Sequence, residues 1–371
     1  MDFTFSAEQV MMRDTVARYL ERDYRFEQRQ TILRSPAGMS EDVWRRLETM
    51  GLFAMPLPEV SGGLNGTPSD IVAVAELLGR YLVVEPYFSS VLLAGRALAR
   101  AEKNSIALSW LGRIITAESR AALAHEEGHG TASVDTIETT ARLDGDCISI
   151  SGEKRLVIDG ADADILVVTA RSGANRLALV VVEPPVDGVE ITPLRTIDGR
   201  PAANICFNDA RIPSQALIDD NAEQSIQNVV NDAILAVAAE AVGAMGALLE
   251  ATTVYARTRE QFGVPIASFQ AIAHKLADMS LAYVKARSTL LYTTALADVG
   301  RASSRDFSVL KAQVGRLGRG FAESAVQIHG GVGMTDEIAV GHHLKRILAI
   351  DAMFGPADYH LQVVGATGQE Q

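Results

Sequence analysis

The apolar residues follow a helical spacing in the first segment of the chain, which extends to about Ala117. Ser6 and Gln9 have the spacing of a capping box, and apolar residues recur every three or four positions after them. A second helical stripe ends at Gly51. A loop rich in Pro and Gly then precedes a further helix that begins near Ser69. The pattern predicts an all-helical first domain.

The spacing changes to short β-rich runs between about Ser119 and Asp219. Turn-forming pairs such as Asp144-Gly145 separate these runs, and the sequence predicts no helix between them. The runs are IETTARL, CISIS, ADILVVTA, RLALVVVEPP, GVEITPL and AANICFND. They predict a small antiparallel barrel or sandwich. A doubly wound dinucleotide-binding domain would instead alternate strands with helices.

The helical spacing returns at about Ala222 and persists towards the end of the chain. The stretch from Ser225 to Arg259 contains no helix breaker apart from Gly243 and Gly246, so it predicts a helix of roughly 50 Å. Further helices are predicted from about Phe269 to Asp298, Ser304 to His329 and Ile338 to Met353. Four successive helices with an Ala-rich face on the first indicate a helical bundle.

The three segments together predict an α+β fold that is mainly α. At 371 residues the chain exceeds what one hydrophobic core usually supports. We expect an amino-terminal helical domain at 1–117, a middle β domain at 118–220 and a carboxyl-terminal four-helix bundle at 221–371.

Charge and composition indicate which kinds of partner and which cellular compartment to expect. The 34 Lys and Arg against 46 Asp and Glu give a net charge of −12, which disfavours nucleic acid and anionic membranes as partners. The start of the sequence lacks the pattern of a signal peptide, and no apolar run approaches the length of a membrane span. Cys147 and Cys206 are the only cysteines, and we expect both to be reduced. These features predict a cytoplasmic protein without a bound metal.

Three motifs resemble those of the acyl-CoA dehydrogenase family. They are YARTREQFGVPIASFQAIAHKLADM at 255–279, QIHGGVGMTDE at 327–337 and VAELLGRYLVVEPYFSSVLL at 74–93. Together with the order of domains, the resemblance covers nearly the whole chain. It implies an FAD-dependent enzyme that desaturates an acyl-CoA thioester between its α and β carbons and passes electrons to electron-transferring flavoprotein.

The resemblance implies a set of FAD contacts at the adenosine and pyrophosphate end of the cofactor. Arg259 would reach the pyrophosphate, since a guanidinium offers a fork of donors that matches phosphate oxygens. Taken alone, Arg259 also suits the dipole at the end of a helix, and Phe269 alone suits a hydrophobic core. The implied contacts are Arg259, Phe262, Phe269, Gln270, Gln327, Gly330 and Gly331.

The glycines at 330, 331 and 333 do not form a dinucleotide fingerprint, because that motif follows a strand and here a helix precedes it. In the family that the chain resembles, these contacts serve an FAD whose flavin ring lies in the neighbouring subunit. The resemblance therefore makes oligomerisation part of cofactor binding and implies a dimer of dimers.

The middle segment departs from the family pattern where the flavin ring would lie. Leu123–His129 reads LAHEEGH in place of a threonine-glutamate-proline motif. Leu156 and Ile158 stand where the family has a tryptophan and a hydroxyl donor. His125 and His129 are four residues apart, but outside a helix that spacing does not favour a metal pair.

The carboxylate that would remove the α-proton is absent from both family positions. One position falls on Phe354 and the other on Ala233, so neither offers an acid. Asp232 and Glu240 are the nearest substitutes, although Asp232 lies about 100° from Ala233 around the helix. Glu240 is expected in a structural or interface bond rather than as a base, and Asp351 and Asp358 are weaker candidates still.

The contacts that are kept and those that are lost together predict the accessory subunit of a heteromeric acyl-CoA dehydrogenase. The chain looks most like the small subunits of pimeloyl-CoA dehydrogenases and the paired dehydrogenases of steroid side-chain breakdown. A second dehydrogenase-like subunit would supply the flavin pocket and the base. The alternatives are a homotetrameric dehydrogenase that uses Glu240 or Asp232, and a non-enzymatic binding protein of the same fold.

Overall fold

A computed structural model of the chain describes residues 4–101, 103–173 and 176–367. These residues form two compact units. One comprises the described residues of Met1–Thr31, Pro68–Val83 and Ile234–Gln371, and the other comprises those of Ile32–Thr67 and Val84–Ala233. The predicted order of helices, strands and helices is confirmed.

The amino-terminal segment is helical. Its α-helices are α1 (Ala7–Asp23), α2 (Phe26–Arg34), α3 (Glu41–Thr49), α4 (Pro68–Arg80), α5 (Arg96–Arg100) and α6 (Ser105–Ile115), with a π-helical stretch at Phe88–Gly95. The predicted capping box is confirmed, because the Ser6 hydroxyl accepts from the Gln9 N–H at 3.2 Å and the Gln9 side chain accepts from the Ser6 N–H at 2.9 Å.

Eight strands form one sheet in the middle segment. They are β1 (Ala121–Ala124), β2 (Thr140–Asp144), β3 (Cys147–Ile158), β4 (Ile165–Ser172), β5 (Arg176–Val182), β6 (Val189–Arg195), β7 (Pro201–Pro213) and β8 (Leu217–Asp219). The order is β6-β7-β3-β2-β4-β5-β8, with β1 also paired to β4. One face buries Ile148, Ile150, Val168, Ile205 and Phe207, each at most 2% exposed.

Most strand pairs are antiparallel, as predicted, but two are parallel. β1 pairs with β4 from Ala121 with Ile165 to Ala124 with Val168, and β2 pairs with the end of β4. A parallel pair needs a long crossover, and the segment between β1 and β4 contains the β2–β3 hairpin. Side-chain alternation is the same in both orientations, so the sequence pattern could not separate them.

The carboxyl-terminal helices agree closely with the predicted ones. They are α7 (Glu223–Thr258), α8 (Gln270–Asp298), α9 (Ser304–His329), α10 (Ala339–Ala352) and α11 (Ala357–Thr367), and a short hairpin of β9 (Glu260–Gln261) and β10 (Val264–Pro265) follows α7. The last helix was not predicted. It is short and begins directly after a Gly-Pro loop, which masks its apolar period.

Two glycines let α4 and α7 meet backbone against backbone. A Cβ added to Gly79 would lie 1.9 Å from the Glu240 carbonyl oxygen, and one added to Gly243 would lie 1.8 Å from that of Glu76. Gly243 therefore serves a close helix crossing and does not break α7. The crossing fixes where Glu240 lies within this unit.

One helix in the described part of the chain, α7, is long and apolar enough to cross a bilayer by length and composition. Of its most apolar window, 78% is buried within the structure. The sequence analysis found no uninterrupted apolar run of that length, because polar residues such as Asp232 and Glu240 interrupt it.

Candidate functional site

Arg259 lies at the surface, directly after the carboxyl end of α7. Its backbone N–H bonds to the Tyr255 carbonyl at 2.8 Å, and its own carbonyl accepts from the Ile266 N–H at 2.8 Å. Its side chain is exposed and forms no ion pair with the residues that the structure describes. A fixed backbone with an unpaired guanidinium is suited to bind an anion from outside the chain.

A contact between Tyr255 and His329 brings the ends of α7 and α9 together. Their rings stack at 4.3 Å, and the Tyr255 hydroxyl donates to the His329 carbonyl at 3.3 Å. Arg259 follows one member of this pair by four residues, and Gly330 directly follows the other. The structure therefore brings the predicted pyrophosphate and adenosine contacts to the same end of the bundle.

Gly330 and Gly331 expose their backbone at this end. Gly330 has a φ of +67°, and no atom of the described residues, apart from the adjacent ones, lies within 4 Å of a Cβ added at either glycine. Side chains at these positions would therefore not displace the described residues, but they would block a ligand that approaches the backbone. Gln327 is exposed one turn earlier on α9.

Phe262 is 94% exposed at the tip of the β9–β10 hairpin, with a φ of +52°. Its ring meets that of Phe269 edge to face at 6.1 Å, just before Gln270 begins α8. Phe269 is 37% exposed and thus belongs to the surface rather than to the core. The exposed cation, the aromatic edges and the open glycines fit the adenosine and pyrophosphate part of FAD.

The positions that would face the flavin ring offer no donor side chain. Leu156 lies at a shift in the β3–β7 register, where its φ is +51° and its side chain is 45% exposed. A bulge of this kind turns a side chain out of the sheet, but here that side chain is aliphatic. Ile158 is half-buried two residues later. These residues do not fit the polar edge of a flavin.

Glu127 is occupied inside the β domain. It accepts from the ammonium of Lys154 at 2.6 Å and from the backbone N–H groups of Glu138 and Thr139. Although burial opposes it, the charge of Lys154 lowers the pKa of Glu127, and burial lowers the pKa of Lys154 to about 8. Burial raises the pKa of the neighbouring Glu126 to about 7. Glu127 can therefore only accept, and it fixes its loop to β3.

His125 and His129 do not converge on a metal. His125 is buried between the Thr169 hydroxyl and the Ala132 carbonyl, each 3.1 Å from a ring nitrogen, whereas His129 is exposed. Burial, followed by the charge of Lys154, lowers the pKa of His125 to about 4. Among the residues that the structure describes, no group of three His, Cys, Asp or Glu side chains could hold a metal ion.

Phe354 lies 9% exposed in the loop between α10 and α11, with a φ of +58°. The ammonium of Lys311 donates to the Asp351 and Gly355 carbonyls, both at 2.8 Å, and His360 contacts the Phe354 carbonyl at 2.9 Å. The other ring nitrogen of His360 contacts the Ser308 hydroxyl at 3.1 Å. The loop is thus held in place while an apolar ring occupies the position of the base.

Lys311 and His360 were not predicted from the sequence. Burial lowers the pKa of Lys311 to about 8, and burial together with Lys311 lowers that of His360 to about 4. A neutral His360 donates to the Phe354 carbonyl and accepts from Ser308. The signal that could have found Lys311 is its position within the apolar stripe of α9, where a cation needs an internal partner.

Glu240 is paired inside the chain rather than free to act as a base. It is 2% exposed and accepts from Arg346 through both Nε, at 2.8 Å, and Nη2. A carboxylate bound by two donors of one guanidinium is fixed in its orientation. The expectation of a structural bond agrees with this geometry.

Asp232 is likewise a counter-ion. Arg96 donates to its Oδ2 through Nε at 3.0 Å and Nη2 at 2.6 Å, and Arg100 lies 3.6 Å from the same oxygen. Ala233, at the family position of the base, is fully buried, and Ile234 is 3% exposed. Neither substitute acid therefore has the free carboxylate that proton abstraction requires.

Three segments match sequence profiles of one family. Residues 6–118 match "Acyl-CoA dehydrogenase, N-terminal domain", residues 121–210 match the middle domain, and residues 224–368 match the C-terminal domain.

Similar proteins extend over nearly the whole chain. Acyl-CoA dehydrogenase IpdE2 of Mycolicibacterium smegmatis is 28% identical over 95% of this chain and 96% of its own. Probable acyl-CoA dehydrogenase YngJ of Bacillus subtilis is 26% identical over 93% of each chain. A chain of the ChsE4-ChsE5 complex from Mycobacterium tuberculosis is 25% identical, with a TM-score of 0.90 and full coverage of both chains.

Proposed function

Since the chain belongs to the acyl-CoA dehydrogenase family, we propose that it is the accessory subunit of a heteromeric enzyme of that family. The enzyme is an oxidoreductase that acts on a CH–CH group, and its cofactor is FAD. When bound, FAD accepts the hydride that leaves the β-carbon of the acyl-CoA. The proposal concerns how this task is divided between unlike chains.

The observation that supports the proposal is the contrast between the two sets of family positions. At the end of the bundle, Arg259 forms no ion pair with the described residues, Phe262 is 94% exposed, and Gly330 and Gly331 leave their backbone open. At the positions of the flavin edge and the base, Leu156 and Phe354 provide no polar group. Such a chain can bind the adenosine end of a cofactor but cannot abstract a proton from a substrate.

Exposed apolar side chains support a partner at the same unit. Phe262 is 94% exposed, and α8 exposes Leu281, Val284 and Tyr292 at 58%, 57% and 49%. Large apolar side chains that share one helix and its adjoining hairpin are typical of subunit interfaces. We propose that the partner is a second acyl-CoA dehydrogenase-like chain, which supplies the base and the flavin pocket in a dimer of dimers.

The name of one similar structure supports this arrangement, since ChsE4-ChsE5 is a complex. The acyl group of the substrate stays open among fatty, dicarboxylic and steroid types. We further propose that the assembly works in the cytoplasm and delivers its electrons to electron-transferring flavoprotein. A homotetramer that uses Glu240 or Asp232 is disfavoured because both carboxylates are paired with arginines.

The direct test is the FAD content of the chain purified alone and after co-expression with a second acyl-CoA dehydrogenase-like chain from the same organism. We expect no FAD in the chain alone and one FAD per pair of unlike chains in the complex. One FAD per chain in the protein purified alone, together with turnover of an acyl-CoA, would overturn the proposal. Absence of FAD from every assembly would instead favour a non-enzymatic binding protein.

A further inference from the structure

A polar cleft of about 350 Å³ lies between the end of α5 and the loop at 56–66. Arg96, Ala99 and Arg100 line it from the helix, and Pro56 and Asn65 line it from the loop. Neither the FAD contacts nor the family positions of the base are among these residues. All of them belong to the unit that contains the eight-stranded sheet.

Arg96 and Arg100 lie four residues apart on one helix, so both guanidinium groups reach the same side. Arg96 is engaged, because it donates to the Pro56 carbonyl at 2.8 Å as well as to Asp232. Arg100 lies 3.6 Å from Asp232 and forms no hydrogen bond with the described residues. Arg100 thus retains donors that no described residue occupies.

Among the described residues around the cleft, basic side chains outnumber acidic ones. Two guanidinium groups share the single carboxylate of Asp232, and no acid is among the described residues that line the cleft. Burial lowers the pKa of Arg100; the charge of Asp232 raises this pKa and that of Arg96 lowers it further. In a chain with a net charge of −12, the described residues at this cleft thus carry a surplus of one positive charge.

We infer that this cleft binds a small oxyanion, with Arg100 as its principal ligand and Arg96 fixed beside it by Asp232. Carboxylate and phosphate groups share the chemistry that a guanidinium recognises, namely two oxygens that accept from parallel N–H donors. The role of Asp232 is then to position Arg96 against the Pro56 carbonyl and leave Arg100 to the ligand. The inference goes beyond the proposed function and needs neither FAD nor a partner subunit.

The test is an anion titration of the full chain followed by thermal unfolding. Sodium succinate and sodium phosphate are compared with sodium chloride at equal ionic strength. We expect succinate or phosphate to raise the unfolding temperature with saturation, since a ligand that binds only the folded state stabilises it. Chloride should not. A response to succinate alone identifies an organic carboxylate as the ligand, and a response to phosphate alone identifies a phosphate ester.

Two variants make the test specific. Arg100→Gln should lower the affinity for the anion that stabilises the chain about tenfold, because one charge-assisted contact is lost. Arg113→Gln is the matched control, because Arg113 is an exposed arginine of the same unit that lies over the Trp110 ring at 4.2 Å, outside the cleft. It should respond like the natural chain.

Three results would overturn the inference. They are the absence of a shift with either anion, an unchanged affinity in Arg100→Gln, and an equal loss in Arg113→Gln, which would indicate general charge screening. Arg100 is more than a third exposed, so its replacement is expected to leave the fold intact. The unfolding temperature of the variant without anion checks this.

Discussion

The end of the helical bundle and the loop between α10 and α11 belong to the same unit, but they differ in whether their functional groups are exposed or bonded within the chain. At the bundle end, Arg259 and Phe262 are exposed and the described residues leave them largely unused. Around the loop, Lys311 of α9 and His360 of α11 are buried, and each is bonded to a carbonyl of the loop. The side chains that we propose to contact an external ligand make few contacts with the described residues, whereas the loop that carries Phe354 is held by internal hydrogen bonds.

The largest effect is expected at Glu240, because its carboxylate is buried and paired with Arg346 inside the chain. Glu240→Gln leaves Arg346 buried without its carboxylate, which should lower the free energy of unfolding by about 3–5 kcal/mol. Denaturant unfolding of the chain alone measures this. Glu250→Gln is the control, since Glu250 pairs with Arg80 at the surface and its loss should change the free energy by about 1 kcal/mol or less. Unchanged stability in Glu240→Gln, with turnover lost in the assembled enzyme, would restore Glu240 as a base.

The buried histidines predict a loss of stability in acid. Burial lowers the pKa values of His125 and His360 to about 4 and that of His343 to about 3, against 6.5 as the ordinary value. Between pH 6.5 and 4 the unfolded chain binds more protons, so stability falls as the pH falls, by up to roughly 1.4 kcal/mol per pH unit for each group. His360→Gln should remove the contribution of one group and so make this slope shallower. Equal slopes in the natural chain and in His360→Gln would contradict the internal role of His360.

The next prediction concerns the proposed contact between Arg259 and FAD. Arg259→Gln should weaken FAD binding by the assembled enzyme about tenfold, since one charge-assisted contact to a phosphate is lost. The stability of the chain alone should stay the same, because Arg259 has no internal ion pair among the described residues. Arg257→Gln, two residues earlier and equally exposed, is the control for surface charge. A loss of stability in Arg259→Gln without a change in FAD affinity would reverse the assignment.

Phe262→Ala should likewise have little effect on the isolated chain. At 94% exposure, Phe262→Ala should change the free energy of unfolding by less than about 0.5 kcal/mol. Co-purification with the partner should nevertheless fall, because a large apolar surface is lost from the proposed interface. Leu361→Ala, at a partly exposed site on α11, serves as a control for surface truncation. Unaltered assembly in Phe262→Ala would place the interface elsewhere.

The sequence predicted what depends on local chemistry. The capping box of Ser6 and Gln9, the nearly uninterrupted α7 and the exact span of α9 each follow from periodicity and end signals within one segment. The motif around Arg259 was recognisable because its residues are adjacent along the chain. Arg259 is exposed, and its contact with a ligand stays a prediction.

Contacts between distant residues could not be predicted. Glu240 and Arg346 are 106 positions apart, and Asp232 and Arg96 are 136 apart, so no spacing rule connects them. The parallel β1–β4 pair and the role of Lys311 depend likewise on how segments come together. The sequence indicated that Glu240 needs a partner, and only the structure identifies Arg346 as that partner.

The crossing of α4 and α7 has a mechanical consequence. Gly79 lies against Glu240 and Gly243 against Glu76, so each helix is held at two points three residues apart. Helices packed this closely cannot slide or rotate against each other without a steric clash between their backbones. We therefore expect a movement of α7, which ends directly before Arg259, to be transmitted to α4. A partner subunit that displaced the carboxyl end of α7 would move both helices together.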